Sequence, residues 1–144
     1  MRSIRVVNTT RESVLGSGVA VADSWWTRVR GFLGRPAPEH GQGLLLSPCR
    51  AVHMVGMSYP LDVVFVGRTG QVVAAYSALK PLRRTKYHRT AEYALELPAG
   101  TILATHTQTG DQLTWSPADT PAPIRAAADS GAEQHEVVTE VEEA

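Results

Sequence analysis

Short apolar runs separated by polar, glycine-containing or proline-containing turns make up most of the first 116 residues. Runs of this kind are typical of β-strands. The predicted strands are residues 4–7, 13–21, 43–46, 51–54, 61–66, 71–76, 92–97 and 112–115. The glycine-containing turn at 67–70 also predicts a hairpin, because a short turn between two apolar runs joins antiparallel neighbours.

One segment has helical rather than strand periodicity. An N-capping pair at 23–24 precedes apolar residues at helical spacing, including Val29 and Phe32, and Gly34 ends the pattern. These features predict a short amphipathic helix near residues 24–33. Many strands with one helix indicate a mainly β (α+β) fold, either a compact β-sandwich or an irregular barrel of short strands.

The charges divide the chain of 144 residues into two parts. Residues 1–116 hold 13 Lys and Arg against 7 Asp and Glu, a net charge of +6, whereas residues 117–144 hold 1 against 7, a net charge of −6. The second part is rich in Pro, Ala and Glu and cannot bury enough apolar surface to offset its ordering entropy. We expect one globular domain over 1–116 and a disordered acidic tail over 117–144.

Features that are missing from the sequence disfavour several classes of protein. No apolar run approaches the roughly 18 residues of a membrane span, and the N-terminus lacks the apolar stretch of a signal peptide. We therefore expect a cytoplasmic monomer with no membrane span. Cys49 is the only cysteine, which excludes an internal disulfide and a thiolate-rich zinc site. We expect no metal and no cofactor, and the modest charge without a recognition motif disfavours nucleic acid as a partner.

Several sequence blocks follow one another along the chain: RGFLGR (30–35), GLLL (43–46), HMVGMSYPLDVVF (53–65), GQVV (70–73), AEYALELPAG (91–100) and GD (110–111). In this order they resemble the family catalogued as domain of unknown function 192. The resemblance covers roughly residues 3–115 and implies a compact, mainly β domain, without implying a reaction. Many members carry a lysine, arginine or asparagine between the methionine and the proline, whereas the span between Met54 and Pro60 holds no charge.

Asp62 is the best single candidate for chemistry, because it precedes the apolar run 63–66 and an unpaired buried carboxylate is costly. It could bind a ligand hydroxyl, coordinate a metal or act as a base. Alternatively, it is a structural carboxylate that accepts backbone N–H bonds in the turn at 59–61. His53 precedes the apolar Met54 and, if the two alternate on a strand, faces a groove or solvent.

Residues 80–89 contain five basic side chains, with Tyr87 and His88 among them. The cations could hold phosphate oxygens, and the tyrosine could stack on a base or a sugar ring. The alternative is a solvated connecting loop whose charges keep it soluble. The acidic tail could also lie over this loop and screen it.

Three functional hypotheses follow. The first is a small soluble binding or accessory module, without established catalysis, for an anionic small molecule, a glycan or a protein segment. Its expected ligand-binding residues are Asp62, His53, Arg83, Arg84, Lys86 and Tyr87. The second is a hydrolytic or metal-assisted enzyme that uses Asp62 with His53 and His88. The third is a structural partner of an envelope or secretion assembly, with Trp26 and the tail as contacts. The absence of phosphate-loop, dinucleotide and nucleophile motifs favours a binding module over an enzyme.

Overall fold

A computed structural model describes residues 2–22 and 31–118. Its strands are β1 (Ser3–Asn8), β2 (Ser13–Ala22), β3 (Gln42–Leu46), β4 (Leu61–Gly67), β5 (Val72–Leu79), β6 (Ala91–Pro98) and β7 (Leu113–Pro117). A short helix, α1 (Thr101–Thr105), connects β6 to β7. The strands form one curled sheet, a half-barrel, in the order β5-β4-β6-β3-β2-β1-β7. The prediction of a mainly β fold is confirmed, and its irregular-barrel form is the one adopted.

The two edges of the curled sheet approach each other at one end. Gln71, just before β5, forms an isolated bridge with Gln112, just before β7. Beside it, the backbone N–H of Val72 donates to the carbonyl of Asp111 over 2.8 Å. These contacts satisfy backbone groups that an open sheet edge would leave exposed.

Hydrophobic clusters cover both faces of the central strands. The inner cluster takes residues from all seven strands and α1, among them Val64 and Leu95. The outer cluster lies on β3, β4 and β6, where Phe65 packs with Phe32 and Met54 from the connecting loops. Every residue of β4 is buried because both of its faces are covered, which explains the continuous apolar run in its sequence.

Most predicted strands are confirmed, including the hairpin between β4 and β5. The predicted strand at 51–54 is not part of the sheet, because its only ladder position is an isolated antiparallel bridge between His53 and Arg84. The sequence also gave no indication of α1. At five residues, that helix is too short to produce a helical hydrophobic pattern.

Two predictions fall largely outside the described residues. The expected helix near 24–33 lies mostly in residues 23–30, which the structure does not describe, and residues 31–33 form a turn. The expected tail over 117–144 is described only at Pro117, which ends β7, and at Ala118, whose N–H donates to the carbonyl of Ser3. Within residues 2–22 and 31–118, no helix is long and apolar enough to cross a bilayer.

Candidate functional site

Asp62 is fully buried on the inner face of β4, opposite Leu97 of β6. Its Oδ1 accepts a hydrogen bond from the N–H of Ala78 and its Oδ2 one from the N–H of Ile102, both over 2.7 Å. The second bond holds the start of α1, where Gly100 provides no side-chain cap. Both oxygens therefore accept backbone N–H bonds, but the donors come from β5 and α1 rather than from the turn at 59–61.

Residues 80–89, which we call the basic loop, form a ladder of backbone hydrogen bonds with the loop that contains His53, on the outer face of the sheet. The backbone hydrogen bonds of this ladder are His88 N to Arg50 O (2.8 Å), Thr85 N to Val52 O (2.9 Å), Met54 N to Arg83 O (2.8 Å) and Leu82 N to Met54 O (3.2 Å). Thr85 also accepts the N–H of Val52 on its hydroxyl over 3.0 Å. Because Thr85 points inward, Arg84 and Lys86 on either side of it are exposed.

The ladder borders an open groove of about 570 Å³, which we call the basic groove. Its lining residues are Ala51, Val52, His53, Arg84, Thr85, Lys86 and Tyr87. None of these is acidic, and Tyr87 exposes 69% of its surface. Arg83 lies in an adjoining hollow, which shares Arg84 with the groove and also includes Lys80. Four of the six expected binding residues thus meet at one groove, with Arg83 beside it and Asp62 on the opposite face of the sheet.

His88 anchors the basic loop to the sheet. Its Nε2 lies 2.7 Å from the hydroxyl of Tyr76, and its ring centroid lies 4.7 Å from that of Phe65 in the outer cluster. Partial burial, followed by the positive charge of Lys86, lowers the pKa of His88.

Since Asp62 points to the inner face, it does not come together with His53 and His88 as the enzyme hypothesis requires. Among residues 2–22 and 31–118, no three His, Cys, Asp or Glu side chains are grouped to hold a metal ion.

Glu96 is a buried carboxyl on the outer face of β6, between Leu44 of β3 and Val63 of β4. Only 5% of the residue is exposed. The backbone N–H of Phe32 donates to the carboxyl, but Oε1 has no hydrogen-bond partner among the described residues. Burial raises the pKa of Glu96 to about 7, and the bond from Phe32 opposes this only in part.

This carboxyl lies at a small cavity of about 90 Å³, which we call the Glu96 cavity. The cavity is lined by Gly31, Phe32, Leu33, Leu46, Cys49, Ala51, Val52, His53, Met54, Val55, Met57, Leu61 and Glu96. Gly31 has a positive φ of 56°, and a Cβ there would come within 3.1 Å of Oε1. A glycine therefore suits this position, both because of the backbone conformation and because a side chain there would press against the carboxyl.

Tyr59 holds the turn that covers the Glu96 cavity. Its hydroxyl lies within hydrogen-bond distance of three carbonyls, those of Phe32 (3.3 Å), Arg35 (2.8 Å) and Pro36 (3.2 Å). Burial raises the pKa of Tyr59, the negative charge of Glu96 adds to this effect, and Arg35 opposes it. Glu96 was not identified as a candidate from the sequence, because alternation along residues 92–97 places Tyr93, Leu95 and Leu97 on one apolar face and Glu96 on the other. The available signal was the unbroken apolar run of β3, which is typical of a strand buried on both faces.

Comparison with known proteins identifies relatives of the whole domain. A protein of the UPF0127 group from Thermococcus sibiricus is 28% identical over 129 residues, covering 84% of this chain and 83% of the relative. Another, from Thermococcus kodakarensis, is 26% identical over 118 residues, covering 79% and 74%.

Two crystal structures share the fold. One is a protein of Sinorhizobium meliloti 1021 described as a candidate transcription regulator, with a TM-score of 0.65, 22% identity and coverage of 79% of this chain and 92% of that one. The other is a protein of unknown function from Novosphingobium aromaticivorans, with a TM-score of 0.64, 19% identity and coverage of 78% and 84%. At these identities the likeness concerns the fold alone. The family model DUF192, described as Uncharacterized ACR, matches residues 6–115, and the chain therefore belongs to this uncharacterised family.

Proposed function

We propose that this protein is a small binding module whose basic groove takes a small anionic ligand. One observation carries the proposal: the loop ladder places His53, Arg84, Lys86 and Tyr87 around a single open groove without an acidic lining residue. Cations gathered around one concave surface raise the local concentration of anions. The fold supplies this arrangement with two loops that are hydrogen-bonded to each other.

The side chains of the groove suit a phosphate or carboxylate group attached to a ring. An arginine can form two parallel hydrogen bonds to such a group, and a lysine adds a point charge. Arg84 and Lys86 are both exposed and flank the inward-pointing Thr85. The exposed ring of Tyr87 offers a face on which a sugar or an aromatic ring can stack.

Arg83 and Lys80 extend the positive surface into the adjoining hollow. A longer anion, such as an acidic glycan or an acidic protein segment, could span both hollows, but the small ligand needs only the basic groove. The proposal does not include Asp62 as a ligand contact, because both of its oxygens accept backbone N–H bonds on the other face of the sheet.

The test is a titration of the full-length protein with phenyl phosphate and with inorganic phosphate, followed by backbone amide shifts in NMR spectra. We expect shifts at residues 51–53 and 84–87, with tighter binding of phenyl phosphate because its ring can stack on Tyr87. Arg84→Ala should weaken binding by about tenfold or more, since a hydrogen bond to a charged group contributes roughly 1.5–3 kcal/mol.

Arg68→Ala is the matched control. It removes the same charge from the turn between β4 and β5, where the Arg68 side chain is 85% exposed and its nearest carboxylate oxygen, on Glu92, is 3.8 Å away. An equal loss of affinity in both variants would mean that net charge alone attracts the anion, and the groove would have no special role. If an acidic peptide shifted these amide signals and phenyl phosphate did not, the ligand of the basic groove would be a protein segment rather than a small anion.

A further inference from the structure

Glu96 lines the Glu96 cavity and carries an acceptor oxygen that has no hydrogen-bond partner among the described residues. Among all buried side-chain nitrogen and oxygen atoms of residues 2–22 and 31–118, only Glu96 Oε1 is identified as having no hydrogen-bond partner. Buried polar atoms nearly always have a partner, since leaving one unpaired is costly. An unpartnered carboxyl oxygen at the wall of a cavity therefore indicates that a donor from outside the described chain belongs there.

The size and walls of the cavity limit what that donor can be. Its volume of about 90 Å³ is smaller than the ~150 Å³ of an engineered apolar cavity that binds benzene. Apart from the carboxyl, the lining is largely apolar and includes Leu46, Met54, Met57 and Leu61. These dimensions fit a short aliphatic chain that ends in one polar group.

The charge at the cavity decides the nature of that polar group. None of the lining residues is a lysine or an arginine, so the described lining provides no permanent positive charge for an ionised Glu96. A bound anion would be repelled by the carboxylate, and a neutral hydroxyl would leave the buried charge uncompensated. A cationic N–H donor offsets the charge and fills the hydrogen-bond position at Oε1.

We propose that the Glu96 cavity binds a primary ammonium group at the end of a short aliphatic chain. Such a group could belong to a free alkylamine or to a lysine side chain, since the two present the same chemistry. Gly31 places no side chain against the carboxyl, and the turn held by Tyr59 covers the cavity. The site is independent of the basic groove, although both include the wall formed by residues 51–53.

Binding of an ammonium group to Glu96 has a defined pH dependence. Because the pKa of Glu96 is raised to about 7, the carboxyl is mostly protonated below pH 7. It must lose that proton before it can pair with the cation. Binding should therefore strengthen about tenfold for each unit of pH below 7 and level off above it, until the amine loses its own proton near ~10. The other titratable groups close to the carboxyl are Cys49 and His53 in the cavity lining and Tyr59, whose hydroxyl holds the covering turn. Arg35 lies in that turn.

The experiment is an NMR titration of the full-length protein with propylammonium at several pH values. The amide signals of Gly31 and Phe32 report on the site, because both residues line the cavity. We expect saturable shifts with a dissociation constant on the order of millimolar, as the ligand has few atoms. N-acetyl-lysine methylamide, titrated in parallel, distinguishes a free amine from a lysine side chain as the preferred source.

Glu96→Gln should weaken binding by at least about tenfold and remove the pH dependence. Glu92→Gln is the matched control, because Glu92 lies on the same face of β6 but pairs with Ser47 and Arg68.

Neutral n-propanol should bind at least about tenfold more weakly than propylammonium. No shift up to the solubility of both amines, or equal binding by Glu96→Gln, would overturn the proposal. Neither result would affect the binding of phenyl phosphate, so the two proposals fail separately.

Discussion

Two buried carboxyl groups lie on opposite faces of the same sheet and differ in how they are satisfied. On the inner face, both oxygens of Asp62 accept backbone N–H bonds of 2.7 Å. On the outer face, Glu96 receives a backbone N–H from Phe32, and its Oε1 has no partner among the described residues. Burial alone therefore does not distinguish the two residues; their donors do.

Asp62 is thus a structural carboxylate, whereas Glu96 is a candidate ligand contact. The two donors of Asp62 tie β4 to the end of β5 and to α1, so this carboxyl group contributes to the fold. The pKa of Glu96 is raised to about 7 because too few hydrogen-bond donors offset the desolvation of its charge. A group in that state has free hydrogen-bonding capacity, which a ligand can use.

The largest effect is expected from Asp62→Ala. The substitution leaves the N–H groups of Ala78 and Ile102 without acceptors, and each such loss costs about 1–3 kcal/mol. We expect the free energy of unfolding in urea to fall by about 4 kcal/mol. Asp62→Asn keeps one oxygen acceptor and should lose less. If Asp62→Ala lost under about 1 kcal/mol, the structural role assigned to this carboxylate would be wrong.

Glu96→Gln should have a smaller effect that depends on pH. The folded-state pKa is raised from 4.5 to about 7, so the folded protein binds this proton more tightly than the unfolded chain does. The protein is thus stabilised by the protonated form below pH 4.5 and loses that contribution as pH rises to about 7. Between pH 4.5 and 8, the stability of Glu96→Gln relative to the unsubstituted protein should rise by on the order of 3 kcal/mol.

Urea unfolding at several pH values measures this difference. Any constant cost of the new amide group cancels, because glutamine does not titrate. Glu92→Gln is the control, and its stability relative to the unsubstituted protein should change little over the same range. A difference between Glu96→Gln and the unsubstituted protein that stays flat from pH 4.5 to 8 would show that Glu96 is not desolvated as the structure indicates.

The smallest effect is expected from Tyr59→Phe, which tests the turn that packs against Glu96 on the outer face. Loss of the hydroxyl removes the bond to the carbonyl of Arg35 and loosens the turn that brings Phe32 to Glu96. We expect a loss of about 1 kcal/mol, the usual contribution of one hydrogen bond. Thermal unfolding measures this loss of stability. Tyr87→Phe is the control, because it alters an exposed ring and should leave the stability nearly unchanged. Equal stability of the two variants would argue against a structural role for the Tyr59 hydroxyl.

The basic groove could be predicted in part from the sequence. Charge clustering in residues 80–89 identified Arg84, Lys86 and Tyr87, and strand alternation placed His53 opposite the core residue Met54. That these residues share a groove depends on the ladder between residues 50–54 and 82–88, whose partners are about thirty residues apart in the chain. The prediction of a strand at 51–54 was wrong, because this segment forms only an isolated antiparallel bridge and a few flanking hydrogen bonds with the loop at 82–88.

Local sequence patterns predicted the seven strands of the sheet, the hairpin between β4 and β5, and the unusual position of Asp62 ahead of an apolar run. These features depend on local patterns, namely alternation, glycine-containing turns and the cost of a charge beside buried residues. The tertiary fold is what brings the donors to Asp62, because Ile102 is 40 residues away in the chain. It likewise decided that Glu96 is buried, since the second face of β6 is covered by the turn at 31–36 and the loop at 51–57. Packing between distant segments, which no local pattern records, buries that residue and makes it a candidate ligand contact.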